Sequence, residues 1–335
     1  MSKILNFYSR KDVQREILRI SKQREIGTRF KESFGRRPDI LQFESDILEL
    51  AKQGATSFHI SVERWKNPLD LKPGLSRKSL DDLRSGWDLV IDLDSKFLEY
   101  TKVSSYLITE ALKFNGIKNI SIKFSGGTGF HILVPFESFP SKIDAEETRL
   151  LFPEAPKAII NYIKNLIKPH LKKEIASLSS LEEIAKSLNL DSSKLKENFC
   201  PDCKVSTKTT IFIETFCDTC GREEVLANIE SKSLVCIDCN TTLKINKNIV
   251  KEECPRCGRK KDFFEGDFDP FKIIEIDSQL ISSRHMVRSP YSINEKTSLV
   301  SIPIELKNIK KFNPKQAKIS AVETTIKFFQ PENST

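Results

Sequence analysis

Ile91-Asp92-Leu93-Asp94 closes an apolar run, and about thirty residues later Lys123-Phe124-Ser125-Gly126-Gly127-Thr128-Gly129-Phe130-His131 passes through a glycine-rich loop. On a strand, side chains two apart share a face. Asp92 and Asp94 therefore point the same way as Val90, while Ile91 and Leu93 turn toward a core. Two carboxylates at that spacing repel unless a cation or proton sits between them. A site with few carboxylates suits magnesium or manganese, which keep positions open for water and phosphate. This is the chemistry of two-metal transfer, in which one ion activates a hydroxyl and the other steadies the leaving group. Standing alone, an Asp-x-Asp is more often a solvated strand end.

The loop lacks the Gly-Lys-Ser/Thr of a P-loop and leads into a strand rather than a helix. Three glycines in four positions, Gly126, Gly127 and Gly129, still let backbone N–H groups converge on phosphate oxygens. His131, at the start of the next strand, can donate a hydrogen bond to a phosphate, or be a half-buried histidine of a hairpin. An ordinary hairpin turn explains the glycines equally well when they are considered alone. Further along, Asp277 is a third acid on a returning strand, and Arg288 has the planar, bidentate geometry that suits phosphate.

All eight cysteines fall in Cys-x-x-Cys pairs: Cys200/Cys203, Cys217/Cys220, Cys236/Cys239 and Cys254/Cys257. Pairs of this kind point to zinc in a reducing compartment rather than to disulfides. Sequential pairing leaves loops of 13 and 14 residues, which suits two zinc ribbons with four thiolates each. Joining the middle two pairs, with the outer pairs meeting across a longer loop, is the other arrangement. Gly221 and Gly258 follow the second cysteine of their pairs, where tight turns are needed. Four thiolates fill the coordination shell, so both ions are structural, each contributing on the order of 10 kcal/mol to its module.

These residues need elements to position them. Helical periodicity spans residues 10–53 through Val13, Ile17, Leu18 and Ile20, then Ile47, Leu48 and Leu50. Strands are expected over Thr56–Val62, Trp87–Asp94, Ile117–Phe124 and Phe130–Pro135. A short helix is expected near Ser79–Arg84 and a long one over Phe97–Phe114, stopped by Asn115-Gly116. A helical region from Ala145 to about Leu195 is broken by Pro153, Pro156 and Pro169, and the stretch from Ser180 to Asp191 reads as an ordinary packing helix. Phe271–Ile276 and Leu299–Ile304 read as strands that rejoin the first half. The 335 residues are 39% hydrophobic and 30% charged, values of a globular chain able to hold two domains. A net charge of +8, with basic residues dense near the N-terminus, slightly favours a polyanionic partner. No secretory leader and no membrane-spanning stretch are read in the sequence, and a cytoplasmic location is expected.

Taken together, Asp92-Leu-Asp94, Ser125-Gly-Gly-Thr-Gly-Phe-His131, and Asp277 followed by Arg288-Ser-Pro-Tyr-Ser with Lys296-Thr297 resemble three motifs of one family. In order and spacing they are similar to those of the small, catalytic subunit of archaeal and eukaryotic DNA primases. Phe7-Tyr8 and Arg24-Glu25 resemble that family's opening helices, and the likeness covers roughly residues 1–140 and 270–305. It implies an α/β (α+β) fold, a primase-like mixed catalytic core carrying an inserted tandem zinc-ribbon module. The core would occupy residues 1–170 and 263–335, with a helical connector at 171–197 and the ribbons at 198–262.

The resemblance further implies that Asp92, Asp94 and Asp277 bind two magnesium or manganese ions. Ser125, Gly126, Gly129, His131 and Arg288, with Lys123 and Lys296, would hold the incoming triphosphate. Single-stranded DNA template, nucleoside triphosphates and a primase large subunit are the implied partners, and RNA primer synthesis in an archaeal-type cell is the implied activity. Family members often carry basic residues where this chain has Gly127 and Thr128, and many have histidine where Asn294 stands. Other expectations are a repair or end-joining polymerase of the same superfamily, and a non-catalytic zinc-ribbon protein that binds nucleic acid.

Overall fold

Every residue of Phe130–Val134 is buried, and apart from His131 the run is apolar, the pattern of a strand covered on both faces. In the computed structural model, which describes residues 3–30, 33–227, 243–276 and 283–328, this strand is the centre of a five-stranded sheet. The order is Glu275–Ile276, Leu89–Asp94, Phe130–Val134, Ser121–Phe124, Pro303–Ile304. All its pairings are antiparallel. The helix Leu98–Phe114 packs across it. That helix stops where Gly116 takes φ +84° and Ile117 donates to the Leu112 carbonyl at 3.0 Å, a left-handed cap that glycine adopts without strain. A second antiparallel sheet runs Met286–Arg288, Ser57–Ser61, Ile26–Phe30, Ser33–Phe34.

The expected helical span of residues 10–53 is instead two helices, Lys11–Ser21 and Glu44–Lys52, with the strand Ile26–Phe30 between them. The periodicity belongs to the helices, and the change of character falls at Arg24 and Glu25. Pro169 does not break a helix either. It lies inside Glu154–Leu178, where the carbonyl it leaves unbonded belongs to exposed Asn165 and can be hydrated. Pro153 and Pro156 fall at the start of that helix, where a missing N–H costs little. The strand Ser121–Phe124 is shorter than expected, and Leu299–Ile304 reduces to Pro303–Ile304. In place of a strand over Phe271–Ile276 there is a 3-10 turn, Pro270–Lys272, and the pair Glu275–Ile276.

Buried ion pairs fasten the N-terminal segment to these sheets. Asp88 is fully buried and takes guanidinium bonds from Arg24 and, at 2.6 Å, from Arg64, plus the Phe136 N–H at 3.0 Å. Arg24 also donates to the Ser61 carbonyl at 2.9 Å. Glu25 lies between Arg37 and Arg284, each of which approaches it with two nitrogens. Arg84 is paired with Glu63, and both are buried. Such groups tolerate the interior only as satisfied sets, because the desolvation cost returns when one partner is removed.

By contact density the chain divides into residues 1–178 with 270–335, and residues 179–269. The second unit opens with the helix Leu181–Leu188, whose capping box joins the Ser180 hydroxyl to the Glu183 N–H and the Glu183 carboxylate to the Ser180 N–H. It contains the strand pair Lys196–Phe199 with Phe264–Phe268. It also contains a three-stranded sheet in the order Glu223–Ala227, Lys208–Phe216, Lys244–Glu253. Among the described residues no helix is long and apolar enough to cross a membrane.

Asp88→Ala leaves Arg24 and Arg64 without their shared carboxylate. It is expected to lower the unfolding free energy by about 3–5 kcal/mol, read from urea denaturation at neutral pH. A loss below about 1 kcal/mol, the level of an exposed pair, would contradict a fastening role for this cluster.

Candidate active site and metal centres

Strand alternation places Ile91 and Leu93 in the core with no exposed surface. Asp92 and Asp94 face the other way, Asp92 partly exposed and Asp94 exposed. Register sets Asp92 opposite His131, and His131 opposite Lys123. A carboxylate, an imidazole and an ammonium thus form one row across three strands. His131 Nε2 is 3.3 Å from Asp92 Oδ1, and its buried Nδ1 has no hydrogen-bond partner among the described residues. Burial first, then the charges of Lys123 and Arg288, holds the His131 pKa well below the ordinary imidazole value. At neutral pH it is an uncharged ring with one N–H to donate.

Lys123, expected at a triphosphate, does not reach solvent. Its ammonium is buried, 2.8 Å from the Ser301 hydroxyl, with the Phe328 ring nearby. Burial is the main cause that lowers its pKa to about 7; the Asp92 charge opposes the shift and Arg288 adds to it. Ser301 and Phe328 arrive from the far end of the chain and cover the lysine. It acts on the site through its charge rather than by contact.

The glycine loop works differently from the open cradle expected. The Ser125 hydroxyl accepts from the Gly127 and Gly129 N–H groups at 3.2 and 3.3 Å, so two loop amides are taken up by the loop itself. Gly129 is where a side chain is impossible, since a Cβ there would lie 1.9 Å from the Leu93 carbonyl oxygen. Gly126 has φ +90°, and its Cβ would meet Asn294 at 2.9 Å. The Thr128 hydroxyl donates to Asp94 Oδ1 at 2.8 Å, and the Ser95 N–H reaches the same oxygen at 2.9 Å.

Arg288 and Lys296 belong to a neighbouring wall. Arg288 lies on the strand Met286–Arg288, opposite His59. Its guanidinium donates to the Ile293 carbonyl at 2.6 Å and to Glu295 at 2.8 Å. Glu295 also accepts from the Ser57 hydroxyl and lies 3.5 Å from Arg29. Burial alone would raise the Glu295 pKa; the Ser57 bond and the Arg288 charge outweigh it and hold the carboxyl at about 2. Arg29, Asn294, Glu295 and exposed Lys296 line an open cleft of about 600 Å³. Glu295 and Arg29 were not singled out by sequence reasoning. Arg29 was one of many N-terminal cations, and the return of Glu295 onto Arg288 is a tertiary contact without a local pattern.

Asp277 lies outside the described residues. It follows Ile276, which is paired with Leu93, while Glu275 is paired with Asp94. The donor set present fits a hard divalent cation: two acids on one open strand face, with Asp94 Oδ2 unbonded among the described residues and Oδ1 held by two donors.

The cysteine pairs correct the sequential expectation. Cys200, Cys203, Cys254 and Cys257 converge, with their sulfurs within 4.8 Å of one another. The outer pairs meet because the strands Lys208–Phe216 and Lys244–Glu253 run antiparallel from Lys208 opposite Glu253 to Phe216 opposite Lys244. Cys203 leads into one end of this ladder and Cys254 leaves the same end. Cys217 and Cys220 sit at the other end, and Cys236 and Cys239 lie outside the described residues. Three turns share one geometry, the first cysteine's carbonyl accepting from the residue after the second cysteine at 2.9 Å, at Lys204, Gly221 and Gly258. Those residues have positive φ. A compact four-sulfur cluster suits tetrahedral zinc.

A mixed α/β core that presents an acidic pair beside a glycine loop is the frame of a metal-dependent nucleotidyltransferase. A family model described as "DNA primase small subunit" matches residues 91–306, well over half of the chain, and the chain belongs to that family. Among solved structures, the polymerase domain from Mycobacterium tuberculosis Ligase D in complex with DNA is similar at 12% identity, with a TM-score of 0.45. That match covers 93% of this chain and 82% of the other. No curated protein sequence matches the chain.

Two measurements test this geometry. Folded Lys123 loses its proton near pH 7, whereas an unfolded lysine keeps it to about pH 10.4. Between those values the unfolded chain binds more protons, so stability rises with pH. Relative to Lys123→Met, the wild type is expected to gain stability from about pH 7 to 10, by urea unfolding without added magnesium. A difference that stays flat with pH would refute the buried, weakly basic ammonium. For the cysteines, the double variant Cys203→Ser/Cys257→Ser is expected to lose one zinc of two by elemental analysis. Loss of both would restore the sequential pairing.

Proposed function

We propose that the protein is the catalytic subunit of a DNA primase, joining ribonucleotides into short RNA primers on single-stranded DNA. The observation that carries this reading is the open acidic face of an otherwise buried strand, Asp92 and Asp94, set against the glycine loop and backed by His131. Asp92 and Asp94, with Asp277, are the residues to hold two magnesium or manganese ions. When bound, such ions activate an attacking 3′-hydroxyl and neutralise charge on the departing pyrophosphate.

The chain's own residues supply position and field. His131 is a neutral donor beside Asp92, so it can contact a phosphate oxygen without competing for the metal as a cation. Arg29 and Lys296 give the cleft its positive side, with Arg288 behind them on Glu295 and Asn294 between. Lys123 contributes from beneath, as a charge whose presence depends on pH. Ser125, Gly126 and Gly129 shape the loop rather than grip the ligand directly. The cluster of Cys200, Cys203, Cys254 and Cys257 is the residue set for one structural zinc, and Cys217, Cys220, Cys236 and Cys239 for a second. Thiolates of this kind remain available in a reducing cell interior. A large subunit is the expected partner.

Purified protein, alone and with its large subunit, is expected to make short RNA from nucleoside triphosphates on single-stranded DNA with magnesium or manganese. Asp92→Ala/Asp94→Ala should reduce synthesis by at least about a thousandfold, because two ions lose their shared ligands. Equal synthesis by the double variant would exclude Asp92 and Asp94 as the catalytic acids. A wild type inert with its partner, yet able to bind single-stranded DNA, would favour a nucleic-acid-binding role instead.

A further inference from the structure

The exposed side chain of Thr128 makes its contact with an acid. Its hydroxyl donates to Asp94 Oδ1 at 2.8 Å. The Ser95 N–H donates to the same oxygen at 2.9 Å. Both bonds fall on Oδ1, and Oδ2 has no hydrogen-bond partner among the described residues. A carboxylate held this way cannot spin about its terminal bond without breaking two contacts, and it presents one oxygen outward.

The loop is built to keep Thr128 there. The next residue, Gly129, lies so close to the acidic strand that a Cβ would come within 1.9 Å of the Leu93 carbonyl oxygen and 3.3 Å of the Asp94 Cα. On the other side, the Thr101 hydroxyl lies 2.9 Å from the Thr128 carbonyl. Thr101 is buried in the helix Leu98–Phe114. The Thr101 hydroxyl has one proton to share between the Thr128 carbonyl and, at 2.8 Å, the Leu98 carbonyl, so Thr128 is set beside the helix through its backbone and pressed against the strand through its neighbour. Its own side chain is exposed, so the hydroxyl is not there to satisfy a buried group. A hydroxyl in water has no need of a protein partner; this one is held on Asp94 by the loop.

We infer that Thr128 is a positioning residue for the metal-binding carboxylate of Asp94, fixing its orientation so that Oδ2 faces the cation. The inference rests on the reading of Asp92 and Asp94 as metal ligands. Outer-shell hydrogen bonds of this type commonly change metal affinity by about 10–100-fold, and an exposed donor belongs at the lower end. A basic residue at this position would offer the carboxylate a competing cation, whereas a threonine orients it and leaves its charge for the metal.

The test measures manganese binding directly, without turnover, by electron paramagnetic resonance of free Mn²⁺ titrated into zinc-loaded protein. Thr128→Val keeps the side-chain shape and removes the donor; because the residue is exposed, an unchanged melting temperature is expected. Its manganese dissociation constant should rise about tenfold, and Thr128→Ser should stay within about threefold of wild type. In primer synthesis, Thr128→Val should need more manganese for half-maximal rate while the nucleotide KM at saturating manganese stays unchanged. Asp92→Ala/Asp94→Ala serves as the reference. If that variant loses binding but Thr128→Val binds as wild type does, Thr128 has no positioning role and the metal reading stands. If the double variant binds normally, both statements fall. A rise in nucleotide KM at saturating metal, with manganese affinity unchanged, would move Thr128 to the nucleotide and also overturn the inference.

Discussion

The register between Leu89–Asp94 and Phe130–Val134 governs the rest of the site. It sets Asp92 opposite His131, and the next strand sets Lys123 opposite His131 in turn. A slip of one residue would send both acids into the core and bring Ile91 and Leu93 to the surface, because side-chain direction has period two. The burial of Ile91 and Leu93 makes that slip costly, at roughly 1.5–3 kcal/mol for each large apolar side chain exposed. The same constraint explains the glycines. Gly129 leaves the loop as the strand begins, and only a residue without Cβ can pass the Leu93 carbonyl at that point. The loop's glycines thus serve close approach between backbones first, and any ligand second.

Charge is arranged around this row in an uneven way. The acids are open to solvent, while the cations that balance them are buried or held. Lys123 has a hydroxyl partner instead of a carboxylate, and Arg288 is shared with Glu295. His59 is pulled down to about 3, by burial first and then by Arg288, and His131 is lowered for related reasons. Two imidazoles near the site therefore stay neutral through the physiological range and add no charge of their own. The electrostatic balance is then set by Asp92 and Asp94 against Lys123 and Arg288. A site proposed to collect metal cations and a triphosphate together needs both signs close by, separated by a fixed frame. Here the frame is two sheets tied by buried ion pairs at Asp88 and Glu25.

What could be read from the sequence was local. The shared face of Asp92 and Asp94, the stop at Asn115-Gly116 and the tight turns at Gly221 and Gly258 follow from backbone periodicity and steric rules acting over a few residues. Each appears in the structure at or near its expected place. What could not be read depends on residues distant in the chain. Lys123 looked available because Ser301, 178 residues away, and Phe328 are invisible as neighbours until the chain folds. Ser125 came to the triphosphate only through the family resemblance, and the bonds that its hydroxyl oxygen accepts from the Gly127 and Gly129 amides depend on how the loop closes. Glu295 sits within a motif and still went unnoticed, since its partners Ser57, Arg29 and Arg288 come from different strands. The strand Ile26–Phe30 was hidden by good helical periodicity on either side, and tertiary pairing with Ser57–Ser61 decided its form.

The cysteine insertion shows how a correct count can support a wrong pairing. Loops of 13 and 14 residues suggested two ribbons, each closing on itself. Both loops contain strands instead, of nine and ten residues, laid antiparallel along one another. Their similar lengths follow from running between the same two ends of one ladder. Antiparallel strands bring together whatever lies just before the first and just after the second, which here are the outer cysteine pairs. At about 3.4 Å per residue, nine residues span roughly 30 Å, so the inner pair Cys217 and Cys220 is carried far beyond bonding reach of the outer cluster. A metal at the outer pairs then clamps the base of the ladder, where it closes the longest loop the four knuckles allow. Loop-closure entropy grows only slowly with length, so the longer loop is a minor cost beside the strand pairing that forms within it.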